Sequence, residues 1–124
     1  MHRVSAVLLL FTVLLLPSAS AADRPARWRT VWRVSQALLA GADAADAASS
    51  WGKHETNPLV RTGQSFGYGS LAIKLGALTS GVVAQHFILR KAPYQTPLFA
   101  SANLAVAAML GAAAAHNMHV TAAK

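Results

Sequence analysis

Four apolar runs divide the chain: residues 4–16, 33–51, 70–89 and 98–118, each closed by a polar or turn-forming break. None alternates apolar and polar positions with the period of two that a half-buried strand requires, so helices are expected throughout. The first run follows Arg3 and is interrupted only by Ser5 and Thr12. Pro17 then breaks it, and Ala19-Ser20-Ala21 has the small-x-small spacing of a signal cleavage site. Residues 1–22 are therefore expected to be a secretory signal peptide removed from the mature chain. The competing reading keeps them as an anchor, because residues 4–22 reach the length of a thin span.

The later runs are each about 19–21 residues, long enough to cross a bilayer as helices. The run 33–51 is the most expensive, since Asp43 and Asp46 would each cost about 2.5–3.5 kcal/mol facing lipid. Residues 52–69 form a loop, with Asn57-Pro58 and scattered glycines as its turn signals. A tight connection follows at 90–97, with prolines at 93 and 97. The expected fold is all-α, an antiparallel three-helix transmembrane bundle over 33–124, with 23–32 as a basic juxtamembrane segment. A soluble, Ala-rich periplasmic helical bundle is the alternative.

Helical phase selects the packing faces. At about 100° per residue, Gln36, Asp43, Asp46 and Ser50 share one stripe, and Ser70, Lys74, Gly81 and Gln85 share another. The third run offers a small-residue face of Ser101, Ala105, Ala108, Ala112, Ala115 and His119, suited to close helix approach in a membrane. Asn103 and Asn117 repeat at heptad spacing and are expected to hydrogen-bond between helices. Antiparallel order brings Asp43, Asp46, Lys74 and His116 toward one membrane face. Buried membrane charges pair or line a wet cavity, so Lys74 is expected to pair with Asp46 or Asp43 across the first two helices.

Composition narrows the functional classes. The 124 residues allow one domain, and 12% charged residues is about half the average of soluble domains. With no cysteine, a disulfide scaffold, a thiol nucleophile and an iron–sulfur cluster are excluded. The net charge of +7 does not describe a nucleic-acid face. Its cations sit instead where apolar runs end: Arg24, Arg27, Arg29 and Arg33 before one, Arg90 and Lys91 between two others. That is the placement of contacts to anionic lipid headgroups, with Trp28 and Trp32 as interfacial aromatic anchors. The bilayer is the expected partner, with other membrane proteins or a second copy as further ones, and no nucleic acid.

Catalytic signatures are missing: there is no Ser-His-Asp order, HExxH, P-loop or glycine-rich phosphate cradle. A non-enzymatic structural or interaction component is the first reading. A metal- or proton-binding, transporter-like module using Asp43, Asp46, Glu55 and His116, with His54 nearby, is the second, because carboxylate and imidazole together suit several divalent metals. That spacing matches no tight ligand code, and no cofactor is implied.

The stretch from Asp43 through Asp46 and Ser49-Ser50-Trp51-Gly52 to Glu55-Thr56-Asn57-Pro58-Leu59 resembles small bacterial multi-span membrane proteins. They carry an Asp, a Ser or Thr soon after, and a Glu-x-Asn-Pro turn between two spans. The resemblance covers mainly residues 36–90 and implies a bacterial envelope protein of few spans, with no activity to carry over; the inner membrane is the expected location. Orientation is in tension with cleavage. A removed signal would leave Arg24, Arg27, Arg29, Arg33, Arg90 and Lys91 outside and only Lys53, Arg61 and Lys124 inside, against the cytoplasmic preference of Lys and Arg.

Overall fold

The computed structural model describes residues 24–55 and 58–119. The expected signal peptide, and Thr56 and Asn57 of the Glu-x-Asn-Pro turn, lie outside the described residues. Those described form three long helices: α1 (Arg24–Ser50), α2 (Tyr68–Lys91) and α3 (Thr96–Asn117). Among them there is no strand, only two isolated bridges in the α1–α2 connection.

α1 begins earlier than its apolar run. Arginine and alanine are good helix formers, and they supply four of the first six described residues of this helix. Residues 24–32 of the basic segment are therefore part of one 27-residue described helix, about 40 Å long. By length and composition, two helical segments could cross a membrane: Tyr68–Lys91 and Pro93–Asn117. α1 is not among them, because four arginines at its start and two aspartates in its second half dilute its apolar stretch.

The α1–α2 connection doubles back on itself. Gly52, at φ 72°, takes the left-handed turn that a side chain would resist, and its N–H donates to the Phe66 carbonyl at 3.0 Å. The Phe66 N–H returns to the Lys53 carbonyl at 2.8 Å. Trp51 packs edge-on against Phe66 at 6.1 Å and Tyr68 at 5.0 Å between ring centroids. Phe66 is the one large apolar side chain that is buried among the described residues. At the other connection Ala92 closes α2 onto Ile88, a 3-10 turn follows at Pro93–Gln95, and the Thr96 hydroxyl donates to the Pro93 carbonyl.

α1 packs closely along α3, and α2 stands further off and reaches both through longer side chains. The buried face of α3 carries Thr96, Ala100, Asn103 and Ala114. This corrects the small-residue face expected from phase: Ala105, Ala108, Ala112 and His119 are exposed. Alanine surrounds α3, so small size marks no particular side, and the two asparagines decide which face turns inward.

Burial is inverted relative to a water-soluble domain. Among the described residues six polar or charged ones are buried: Ser35, Asp43, Asp46, Ser70, Thr96 and Asn103. Apart from Phe66, the buried apolar residues are Ala47, Ala100 and Ala114. Leu38, Ile73, Leu75, Val83, Phe87, Val106 and Met109 face outward.

Candidate functional site

Two hydrogen-bonded clusters form a polar seam between the helices. The lower cluster is built on α1, where Asp43 and Asp46 are three residues apart and so share a face. Lys74 of α2 reaches between them. Its ammonium donates to Asp46 Oδ2 and lies 3.4 Å from Asp43 Oδ1, with all three side chains about nine-tenths buried. The other Asp46 oxygen accepts from Asn117 Nδ2 at 3.2 Å, and the same amide donates to Ser50 Oγ at 2.8 Å. Both carboxylate oxygens of Asp46 are thus engaged, by α2 and by α3.

Lys53 completes this end. Its ammonium donates to the backbone carbonyl of Asn117, the last residue of α3. Terminal helix carbonyls have no intrahelical donor and carry the negative end of the dipole, so a cation there is favoured. Lys74 also lies 5.8 Å from the centroid of the Phe66 ring, tying the pair to the folded connection.

The upper cluster lies about 16 Å along α1, eleven residues from Asp46 to Ser35. Gln85 and Asn103 form a reciprocal amide pair: Gln85 Nε2 donates to Asn103 Oδ1 at 2.7 Å, and Asn103 Nδ2 donates back to Gln85 Oε1 at 3.0 Å. Asn103 Nδ2 also reaches Ser35 Oγ at 3.1 Å, and Trp32 Nε1 donates to Gln85 Oε1 at 2.9 Å. Ser35 gives its own proton to the Trp32 carbonyl at 2.7 Å. Each helix contributes to both clusters, so all three are fixed in register at two depths.

The other expected ligands do not join the carboxylates. His116 and His54 are exposed. Glu55 lies in the α1–α2 connection, its backbone N–H bonded to the Gln64 carbonyl at 3.3 Å. Among the described residues no three His, Asp or Glu side chains gather as a metal site would need. Lys74 and Asn117 engage both oxygens of Asp46, and Lys74 also lies beside Asp43 Oδ1. A cavity of about 290 Å³ adjoins the pair, with Asp43 and Lys74 at one side, Gln85 at the other, and Leu39, Val82 and Leu110 among its apolar walls.

Ser35, Lys53 and Trp32 are the contributors that helical phase does not select. Trp32 lies in the segment assigned to the membrane surface, and Lys53 lies in the connection. A tryptophan four residues before Gln36, with its indole N–H needing a partner, was the signal available.

No known protein family, no curated protein and no solved structure matches the chain.

Proposed function

We propose that this chain is a small integral protein of the bacterial inner membrane, an antiparallel three-helix bundle acting as a non-enzymatic structural or interaction component. The observation that carries the reading is the inverted burial: aspartates, lysine, serines and amides inside, leucine, valine, phenylalanine and methionine outside. In water such a molecule would lose most of the apolar burial that drives folding. In lipid the outward groups cost nothing, and hydrogen-bonded polar groups with small residues are what hold helices together.

Spacing along the axis supports it. Trp28 and Trp32 lie near one end of α1 and Trp51 just past the other, with Tyr94 and Tyr68 at the corresponding connections. From Trp32 to Trp51 the rise is about 28 Å, close to the hydrocarbon thickness of a bilayer, as two interfacial aromatic belts require. The antiparallel order is supported by the cross-links. Going forward along α2 from Lys74 to Gln85, the partners step backward along α1 from Asp46 to Trp32. α1, too polar to insert alone by composition, is carried by its pairing with α3 and by the Lys74 cation, which offsets one of its two aspartate charges. The resemblance to small multi-span bacterial proteins belongs to the same proposal.

The non-enzymatic role rests on how the seam uses its polar groups, which face one another across helix interfaces. Carbonate extraction of membranes followed by ultracentrifugation tests the setting, with the chain expected in the pellet. Asp43→Asn together with Asp46→Asn tests the role. Lost abundance or assembly with unchanged metal content and proton flux supports a structural component, and an altered flux or metal content would replace it with the transporter-like reading.

A further inference from the structure

At the end opposite the ion pair, the start of α1 meets the α2–α3 connection around a cavity of about 550 Å³. Arg24, Trp28 and Arg29 wall one side, and Pro93, Tyr94 and Pro97 wall the other. Thr96 also lines it, though its hydroxyl already donates to the Pro93 carbonyl. We propose that this cavity is a discrete binding site for one anionic glycerophospholipid, its phosphate held between Arg24 and Arg29. The proposal rests on the membrane reading above and goes beyond general attraction of a basic end to a charged leaflet.

Three features favour this ligand. Two arginines of one helix line a single cavity, and guanidinium geometry suits paired hydrogen bonds to phosphate oxygens. Trp28 and Tyr94 give the amphipathic ring surface that sits at the level of the glycerol and ester groups. The described lining residues bring two positive charges to the cavity, which favours a headgroup with net negative charge over a zwitterionic one. Arg90 and Lys91 close α2 three and two residues before Pro93, adding positive potential at the same end. Basic pockets between membrane helices are a recurring way of holding such headgroups. Below the cavity Leu98 is exposed, giving the acyl chains an apolar surface to follow. The prolines around the connection restrict its backbone, so the site needs little ordering when lipid arrives.

The test is native mass spectrometry of the full chain released from detergent micelles after incubation with phosphatidylglycerol, phosphatidylcholine or inorganic phosphate. The expected result is one retained phosphatidylglycerol, little retained phosphatidylcholine, and no displacement by millimolar inorganic phosphate. Arg24→Gln with Arg29→Gln should weaken retention about 30-fold, the combined weight of two juxtamembrane cations. Arg61→Gln, which removes a cation in the α1–α2 connection, should leave retention unchanged. Equal retention of both lipids, displacement by phosphate, or an equal loss in the Arg61 and Arg29 single variants would each overturn the proposal. Carbonate extraction of the same samples separates the two readings. A chain that pellets but does not discriminate between lipids loses only the site, and a chain that stays in the supernatant loses the membrane assignment itself.

Discussion

Removing the Lys74 ammonium leaves two carboxylates three residues apart on α1, nine-tenths buried and without their cation. At the 3.4 Å separation from Asp43 and an effective dielectric near 20, the Coulomb attraction lost is about 5 kcal/mol for that pair alone. Desolvation already offsets much of this in the intact protein, so the net contribution of the pair is smaller. Breaking a buried pair by deleting one partner costs about 3–5 kcal/mol, because the survivor stays buried and uncompensated. Lys74→Met keeps most of the side-chain volume and removes only the charge. It should lower the melting temperature in detergent by roughly 10 °C or more and reduce the amount of protein accumulating in membranes. The triple change Asp43→Asn, Asp46→Asn and Lys74→Met removes all three charges and leaves an amide oxygen at position 46 able to accept from Asn117. It should return to within about 1–2 kcal/mol of the native chain, since neutral replacements of buried pairs are often tolerated. Thermal unfolding of the single, double and triple variants measures the coupling directly. A Lys74→Met protein as stable as the native one, or a triple variant as unstable as the single, would refute the reasoning.

Three further outcomes follow from the packing. Ala100 is wholly buried, so Ala100→Leu should cost about 1–3 kcal/mol by overpacking, whereas Ala112→Leu on the exposed face should stay within about 0.5 kcal/mol. Comparing their melting temperatures checks which side of α3 faces inward. Asn103→Leu leaves Gln85 and Ser35 without a shared partner and should cost about 1–2 kcal/mol, and adding Gln85→Leu should cost less than the two singles summed. Ser70 is fully buried with no hydrogen-bond partner for its hydroxyl, so Ser70→Ala should be neutral or slightly stabilising in the same assay.

What the sequence determined by itself was local. Helix followed from long alanine- and leucine-rich runs broken by proline and glycine, and spacings of three and four placed Asp43 and Asp46 on one stripe and Ser70, Lys74 and Gln85 on another. Those stripes named the partners of Lys74, because few buried charges were available to answer it. Asn103 and Asn117, fourteen residues apart, likewise marked one line along α3. The tertiary structure alone decided which side of α3 turns inward. A helix lined with alanine on every side carries no amphipathic signal, and its orientation is set by hydrogen-bond partners on another element. The same holds for Trp32 with Gln85 and for Lys53 with the Asn117 carbonyl, where the partners lie 53 and 64 residues apart. The basic cavity is also tertiary. It joins the start of α1 to a connection that follows α2, and neither stretch forms a pocket until the helices have packed.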